Sequence, residues 1–363
     1  MTDKVLVSVQ EITNIRKHIN ADKLVVATVQ GYEVIINPQA FGESMETFSQ
    51  LKGRKGVMFY IDSVIPDEHR KLEIFSYLEN GRVRTVKLRK EYSQGLFLSF
   101  DSVAPLVKID LDATVNTDLT SQFNVVKYYE QTDKERPNKS SPSFCQPFPQ
   151  WFPKTDQPRL QEQVGLLTNF NDRRFVATVK IDGMSSTYYY NPDEKEGGIC
   201  SRNYRLTEST VPKEKPDPHF ANIEQKYSIL EKLKIQGRRL AIQGEIYGLG
   251  INSNRMKTNN VDFAVFDIYE WNENGSGKYL PYEDVVKLCQ LLSLPIVPFV
   301  CYFDHLMANV SEWVQLAEKQ VYDQISSVKG LPAEGVVVKT CDNSTPYMSF
   351  KVISRLYLEK YKL

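Results

Sequence analysis

The sequence predicts an α+β protein in two domains, with short strands first and a mixture of strands and helices after a polar, proline-punctuated break. Three observations carry this. Apolar residues between positions 5 and 126 come in short runs bounded by turn formers, as in a small β-barrel or sandwich. Beyond residue 159 helical spacing appears between strand-like runs. The length, 363 residues, also favours two domains at roughly 150 residues each.

In chain order, the first strands are expected at residues 5–9, 24–29, 32–36, 56–61 and 96–100, separated by Asn20-Ala-Asp22, Asn37-Pro38 and Gly53. Residues 132–143 are polar, and Pro147, Pro149, Pro153 and Pro158 then interrupt aromatics and Lys154, the composition of a linker. After it, one helix is predicted over 222–233, where Ile223, Tyr227, Leu230 and Leu233 share a face, and others around 285–292 and 313–321. Strands are expected between them at 175–179, 187–190, 240–245, 263–269 and 335–338.

Composition excludes several classes. With 45 basic and 45 acidic residues the formal net charge is zero, which rules out a uniformly cationic nucleic-acid coat. Hydrophobic residues at 41% can bury a core, and no apolar run is long enough to span a bilayer. The start has no signal-peptide pattern. The five cysteines are widely spaced without C-x-x-C, and the four histidines are scattered, so neither a disulfide framework nor a zinc site is expected. These features point to an intracellular chain without a membrane partner.

The sharpest local signal is Lys180-Ile181-Asp182-Gly183 behind a strand. By itself it also reads as a strand ending in an Asp-Gly turn with a solvated lysine. A lysine amine becomes a nucleophile when its surroundings lower its pKa, and the glycine would let a phosphate approach the backbone. Three further patches share the chemistry: Gly244-Glu245-Ile-Tyr-Gly248, Glu334-Gly335-Val-Val-Val-Lys339 and Ser349-Phe350-Lys351-Val352. Strands that deliver lysines and carboxylates to one groove suit ATP with Mg²⁺.

With Ser201-Arg202-Asn203 and Phe263-Ala-Val-Phe266-Asp267-Ile-Tyr269, these segments resemble, in order, motifs I, Ia, III, IIIa, IV and V of the covalent nucleotidyltransferase superfamily. His18-Ile-Asn20-Ala-Asp22-Lys23-Leu24 resembles an element of tRNA-binding oligonucleotide-binding (OB) barrels. Residues 56–66, 87–89 and 93–96, Pro153–Gln161 and Gly250–Arg255 are similar to the fifth family of polynucleotide RNA ligases. The resemblance implies an OB-type β-barrel over 1–130, a linker over 131–159, and an adenylyltransferase (ATP-grasp-like nucleotidyltransferase) domain of antiparallel sheets with helices over 160–363.

It further implies an ATP- and Mg²⁺-dependent RNA ligase, with Mn²⁺ able to substitute. Lys180 would form the lysyl-AMP; Arg202, Glu245, Lys339, Lys351 and Lys154 would contact ATP; and Phe266 or Phe263 would pack on adenine. Asp182, Glu334 and Glu245 would serve the metal. In place of the second lysine common in motif V stands Ile353. Arg82, Arg84, Lys87 and Arg89 form an acid-free basic run, readable as an edge strand protected by charge or as a phosphate track. As a strand it would place Arg82 and Arg84 on one face and Lys87 and Arg89 on the other. The partner implied is RNA or a nicked RNA/DNA duplex, bound by a monomer. A DNA ligase or capping-type enzyme is the enzymatic alternative, disfavoured because twelve residues after Lys351 leave no room for a further OB domain. A non-catalytic RNA-binding protein is the other.

Overall fold

A computed structural model describes residues 5–128, 144–170, 173–207, 216–342 and 346–363. Residues 131–143 of the expected linker lie outside these. The chain divides into two compact units, one of Met1–Glu135 with Gln161–Val164 and Leu358–Leu363, the other of Arg136–Leu160 with Gly165–Tyr357.

In the first unit, β1 (Val7–Lys17), β2 (Val25–Val29), β3 (Tyr32–Ile36) and β4 (Lys55–Phe59) precede the short β5 (Ser63–Val64), and α1 (Glu73–Ser76) leads to the hairpin of β6 (Thr85–Leu88) and β7 (Glu91–Gln94). After β8 (Leu96–Leu98) come α2 (Phe100–Val103) and β9 (Val126–Lys127). The main sheet is antiparallel with order β3-β2-β1-β4-β8. It curls so that the Ile35 amide on β3 donates to Ser93 Oγ on β7 at 3.0 Å, which nearly closes the expected barrel.

Period-two alternation explains how both faces are filled. Met58 joins Ile12, Val25, Tyr32 and Phe97 in the interior, whereas its neighbours Val57 and Phe59 join Phe75, Val103 and Phe123 on the outer face. The strands foreseen at 24–29, 32–36, 56–61 and 96–100 are all present.

The second unit contains two antiparallel sheets. The larger has order β10 (Cys145–Pro147), β14 (Tyr204–Leu206), β13 (Glu196–Ser201), β12 (Met184–Asn191), β15 (Leu240–Tyr247), β16 (Asp262–Trp271), β17 (Gly277–Tyr279); the smaller, β18 (Phe299–Phe303), β11 (Phe175–Lys180), β19 (Gly335–Thr340), β20 (Ser349–Ile353). The unit's helices are α3 (Leu166–Asn169), α4 (Pro218–Tyr227), α5 (Ile229–Gln236), α6 (Tyr282–Leu292) and α7 (Val310–Glu318), and α8 (Arg355–Tyr361) begins in it and ends in the first unit. Ile223, Ile229, Leu233, Val285 and Leu288 of α4 to α6 bury one face of the large sheet against Tyr188, Ile242 and Val265. On α7, Trp313, Val314 and Ala317 bury one face of the small sheet against Ala177, Val336, Val338 and Phe350.

The predicted single helix over 222–233 is two helices. Ser228 takes a left-handed conformation (φ 49°) that no helix interior allows, and the Glu224 carboxylate accepts the Leu230 amide across the break at 3.1 Å. The sheets are tied where the Val265 amide donates to Pro295 O and the Val179 amide to Pro298 O, each at 2.8 Å. Cys200, Cys289 and Cys341 are buried thiols outside any disulfide. Among the described residues no helix is long and apolar enough to cross a membrane.

Candidate active site

Lys180 is the last residue of β11 and lies opposite Gly335, the first of β19; Lys351 on β20 lies opposite Val337. Directly paired residues of antiparallel strands point to the same side, so Lys180 and Lys351 share the face of the small sheet that α7 leaves uncovered. Glu334 stands just before β19, and Lys180 Nζ donates to its Oε2 at 2.7 Å. Glu245 enters from β15 of the large sheet, opposite Ser185.

Three carboxylates thus surround one ammonium. Burial pushes the Lys180 amine down, but Glu334, Glu245 and Asp182 outweigh it and hold the amine above its ordinary value. Burial pushes Glu245 up to about 8; Lys180 opposes this, while Glu334 and Asp182 add to it. Glu334 is raised by burial despite its contact with Lys180. Lys351 is lowered to about 8, first by burial and then by Lys180, with Asp156 opposing.

Asp182 is held on both oxygens by its own chain. Asn252 Nδ2 donates to Oδ1 at 2.7 Å, Arg255 Nη1 lies 3.3 Å from Oδ2, and the Tyr357 hydroxyl donates to Oδ2. The loop that delivers Asn252 and Arg255 holds Asn252, Ser253 and Asn254 at φ 44°, 56° and 47°, a run that non-glycine residues rarely adopt and that marks a constrained site. Tyr322 spans the two reactive segments, donating to the Lys180 carbonyl and accepting the Glu334 amide, both at 2.9 Å.

Gly183 has a different reason from the one the sequence suggested. A Cβ there would lie 2.2 Å from Ile246 O and 2.8 Å from Glu245 Cγ, so the glycine admits β15 rather than a phosphate.

On the cationic side, Asp156 stands between Arg202 at 2.9 Å and Lys351 at 3.6 Å. The segment carrying it is pinned by the Lys351 amide, which donates to Pro158 O at 2.8 Å, and by Gln243 Nε2, which donates to Pro153 O at 2.9 Å. Among the described residues no three His, Cys, Asp or Glu side chains converge as a closed metal cage. The available donors are carboxylate oxygens, the hard ligands that suit Mg²⁺ when water and phosphate complete its shell.

Comparisons with known proteins bear on the family and the fold. Residues 173–353 match the RNA ligase family model, and residues 6–100 match an OB-fold domain model. No curated protein gives a significant match. Among solved structures, the fold is similar to a variant of Naegleria gruberi RNA ligase with ATP and Mn, at 27% identity and TM-score 0.76 over 98% of this chain and 99% of that one. The same ligase with pyrophosphate gives 27% identity and TM-score 0.76 over 99% of each chain, and a variant with AMP and Mn gives the same values. This chain belongs to the RNA ligase family.

The remaining predicted residues of the ligase are distributed unevenly. Phe263 is fully buried in the core, edge-on to Tyr188 with ring centroids 5.5 Å apart, so it cannot pack on a nucleotide. Phe266 is half-buried and is the extra residue of a β-bulge in β16, where Gln243 pairs with Asp267 and Gly244 with Val265. A bulge re-aims a side chain, which separates the two phenylalanines where strand alternation had left the choice open. Lys339 is buried in an ion pair with Asp267 at 2.6 Å, four residues along β19 from Gly335 and so about 13 Å from the Lys180 end. Lys154 is exposed, 5.6 Å above the Phe148 ring.

The basic run of the barrel does not form one strand. Arg82 and Arg84 precede β6, and Arg89 with Lys90 makes the turn after it. Arg82 pairs with Asp62 at 3.0 Å and lies 3.6 Å over the Tyr128 ring, Arg84 pairs with Glu79 at 2.9 Å, and Lys87 with Glu359 at 3.5 Å. Sequence reasoning assigned no role to Asp156, Asn252, Tyr322 or Tyr357. The Pro153–Gln161 resemblance was a signal for Asp156 and the Gly250–Arg255 resemblance for Asn252; the tyrosines had none.

Proposed function

We propose that this RNA ligase uses ATP to join 3′-hydroxyl and 5′-phosphate ends, at nicks with RNA on the 3′-hydroxyl side, through a lysyl-AMP on Lys180 and an adenylylated 5′ end. The observation that carries the reading is a strand-end lysine 2.7 Å from Glu334, on the same sheet face as Lys351. The bound ATP, AMP and pyrophosphate of the similar Naegleria gruberi structures support it.

In the first step the Lys180 ammonium gives up one proton to solvent so that its amine attacks the α-phosphorus; the N–P bond forms as the bond to pyrophosphate breaks, and a second proton leaves the nitrogen for solvent to give the phosphoramidate. Lys351 and Arg202 neutralise the phosphates, as phosphoryl transfer requires of a catalyst that mainly positions and stabilises charge. In the second step a 5′-phosphate oxygen attacks the AMP phosphorus and the N–P bond breaks, and the Lys180 nitrogen takes back two protons from solvent to restore the ammonium. In the third the 3′-hydroxyl oxygen attacks the 5′-phosphorus, its proton leaves, and AMP departs.

Glu334, Glu245 and Asp182 would hold a divalent ion, Mg²⁺ or Mn²⁺, which would supply positive charge to offset the carboxylates that stabilise the ammonium. Asp182 keeps its orientation through Asn252, Arg255 and Tyr357. Tyr322 sets the spacing between the nucleophile's backbone and that of Glu334.

The test is incubation with α-labelled ATP or GTP and magnesium, followed by denaturing electrophoresis. Acid-labile label from ATP, absent in K180M, is expected; no label, or equal label from GTP, overturns the reading. Ligation of nicked duplexes is expected to need RNA at the 3′-hydroxyl end, and indifference to that sugar would favour a DNA ligase.

A further inference from the structure

The His18–Leu24 element and the turn after β6 were read separately in the sequence, and in the barrel they meet. Arg89 and Lys90 are the two central residues of the β6–β7 hairpin, at φ 46° and 75°. A two-residue turn with positive φ at both positions is the place for Asn-Gly, since side chains with a Cβ are strained there. Here the chain places two long cations instead. Arg89 and Lys90 are exposed, and among the described residues neither has an ion-pair partner. In this they differ from Arg82, Arg84 and Lys87, which are engaged with Asp62, Glu79 and Glu359.

The turn is also held in place from outside the hairpin. Asn20 Nδ2 donates to the Arg89 carbonyl at 2.9 Å, and the buried His18 reaches the Leu88 carbonyl through Nε2 at 3.1 Å. His18 Nδ1 accepts the Asn20 amide at 3.0 Å, and Glu91 Oε2 accepts the Ile19 amide at 2.8 Å. The β1–β2 loop therefore presents the tip as a fixed platform, with Lys17 at the end of β1 and Lys23 in the loop exposed beside a single exposed acid, Asp22. A strained backbone that persists under external support marks a functional constraint.

We propose that the Arg89-Lys90 turn, fixed by His18 and Asn20, is a docking point for the phosphate backbone of the ligase's RNA substrate. The identity of the occupant rests on the ligase reading, while the polyanion chemistry rests on the turn. Loops at this end of OB barrels are also where such barrels bind oligonucleotides in general.

The test replaces the turn with its unstrained counterpart, R89N/K90G, and separately removes only the charge, R89Q/K90Q. Binding of a fluorescent nicked RNA duplex is followed by anisotropy across a salt series, and unfolding is followed by thermal melting. R89N/K90G is expected to melt about 2–4 °C higher because strain is relieved, yet to bind RNA about tenfold more weakly at physiological salt. The slope of log K against log salt is expected to fall by about 2. R89Q/K90Q is expected to show the same loss of affinity and slope without the gain in melting temperature. Unchanged affinity and slope in both variants overturns the proposal, as does restored binding in R89Q/K90Q when only R89N/K90G is weak. Lysyl-AMP formation by the parent protein, measured without RNA, tests the ligase reading separately.

Discussion

Replacing Asp156 with Asn is expected to make the ligase bind ATP more tightly. Asp156 is the only acid within ion-pair distance of Arg202 or Lys351 among the described residues, at 2.9 and 3.6 Å. A triphosphate that uses both cations must displace it. At those separations Coulomb's law in water gives on the order of 1 kcal/mol for each contact. Asp156 is 62% exposed and Arg202 53%, so solvent screening reduces this to the 0.2–1 kcal/mol typical of surface pairs, together about 1 kcal/mol. The Kd of ATP should then fall about fivefold in D156N. The assay is isothermal titration of ATP in the presence of Mg²⁺ on a K180M background, so that no covalent step follows binding. It should be run near pH 6.5, below the value of about 8 that Lys351 has in the parent protein; K180M removes the repelling charge of Lys180, so Lys351 is protonated there even without Asp156. An unchanged or weakened Kd at pH 6.5 would refute the view of Asp156 as a competitor for the phosphate cations.

Other perturbations follow from the same geometry. The rate of lysyl-AMP formation should rise with pH above neutrality, because the amine is held above its ordinary value and only its neutral form attacks; E334Q should move the midpoint of that profile downward, and an upward shift in single-turnover labelling would contradict the charge assignment. Y357F removes a buried hydroxyl from Asp182 and should cost about 1–3 kcal/mol in denaturant unfolding, with slower labelling; wild-type stability and rate would show that Asn252 and Arg255 suffice. K339M leaves Asp267 buried without its cation and should cost about 3–5 kcal/mol, largely recovered in K339M/D267L; a loss confined to ATP affinity would instead return Lys339 to the nucleotide. G183A should abolish labelling and destabilise the fold, since its Cβ strikes the backbone of β15; normal labelling would mean that β12 and β15 can separate cheaply.

Much of this protein is legible along the chain because its chemistry is carried by strand ends. Lys180, Glu245, Glu334 and Lys351 all lie on or next to short β-branched or apolar runs, and the family motifs that these runs resemble, in order, single them out as candidates before any fold is known. Short-range patterning likewise located the barrel strands and the helices at Tyr282–Leu292 and Val310–Glu318. It failed where a backbone conformation interrupts a pattern without changing it: Ser228 breaks an unbroken helical face, and Arg89-Lys90 turns a run that reads as one strand.

What the tertiary structure alone decided is which charged groups face each other. The sequence by itself determined an α+β chain with a lysine nucleophile candidate, three carboxylates and several cations, because residue type and spacing suffice for that. The pairing of Lys180 with Glu334 across 154 positions, of Asp182 with Tyr357 across 175, and of Lys339 with Asp267 rather than with the site, depends on strand register and sheet order. Charge interactions fall off within a few ångströms and with solvent access, so the same residue is a phosphate ligand, a buried strut or a spectator according to what the fold places beside it.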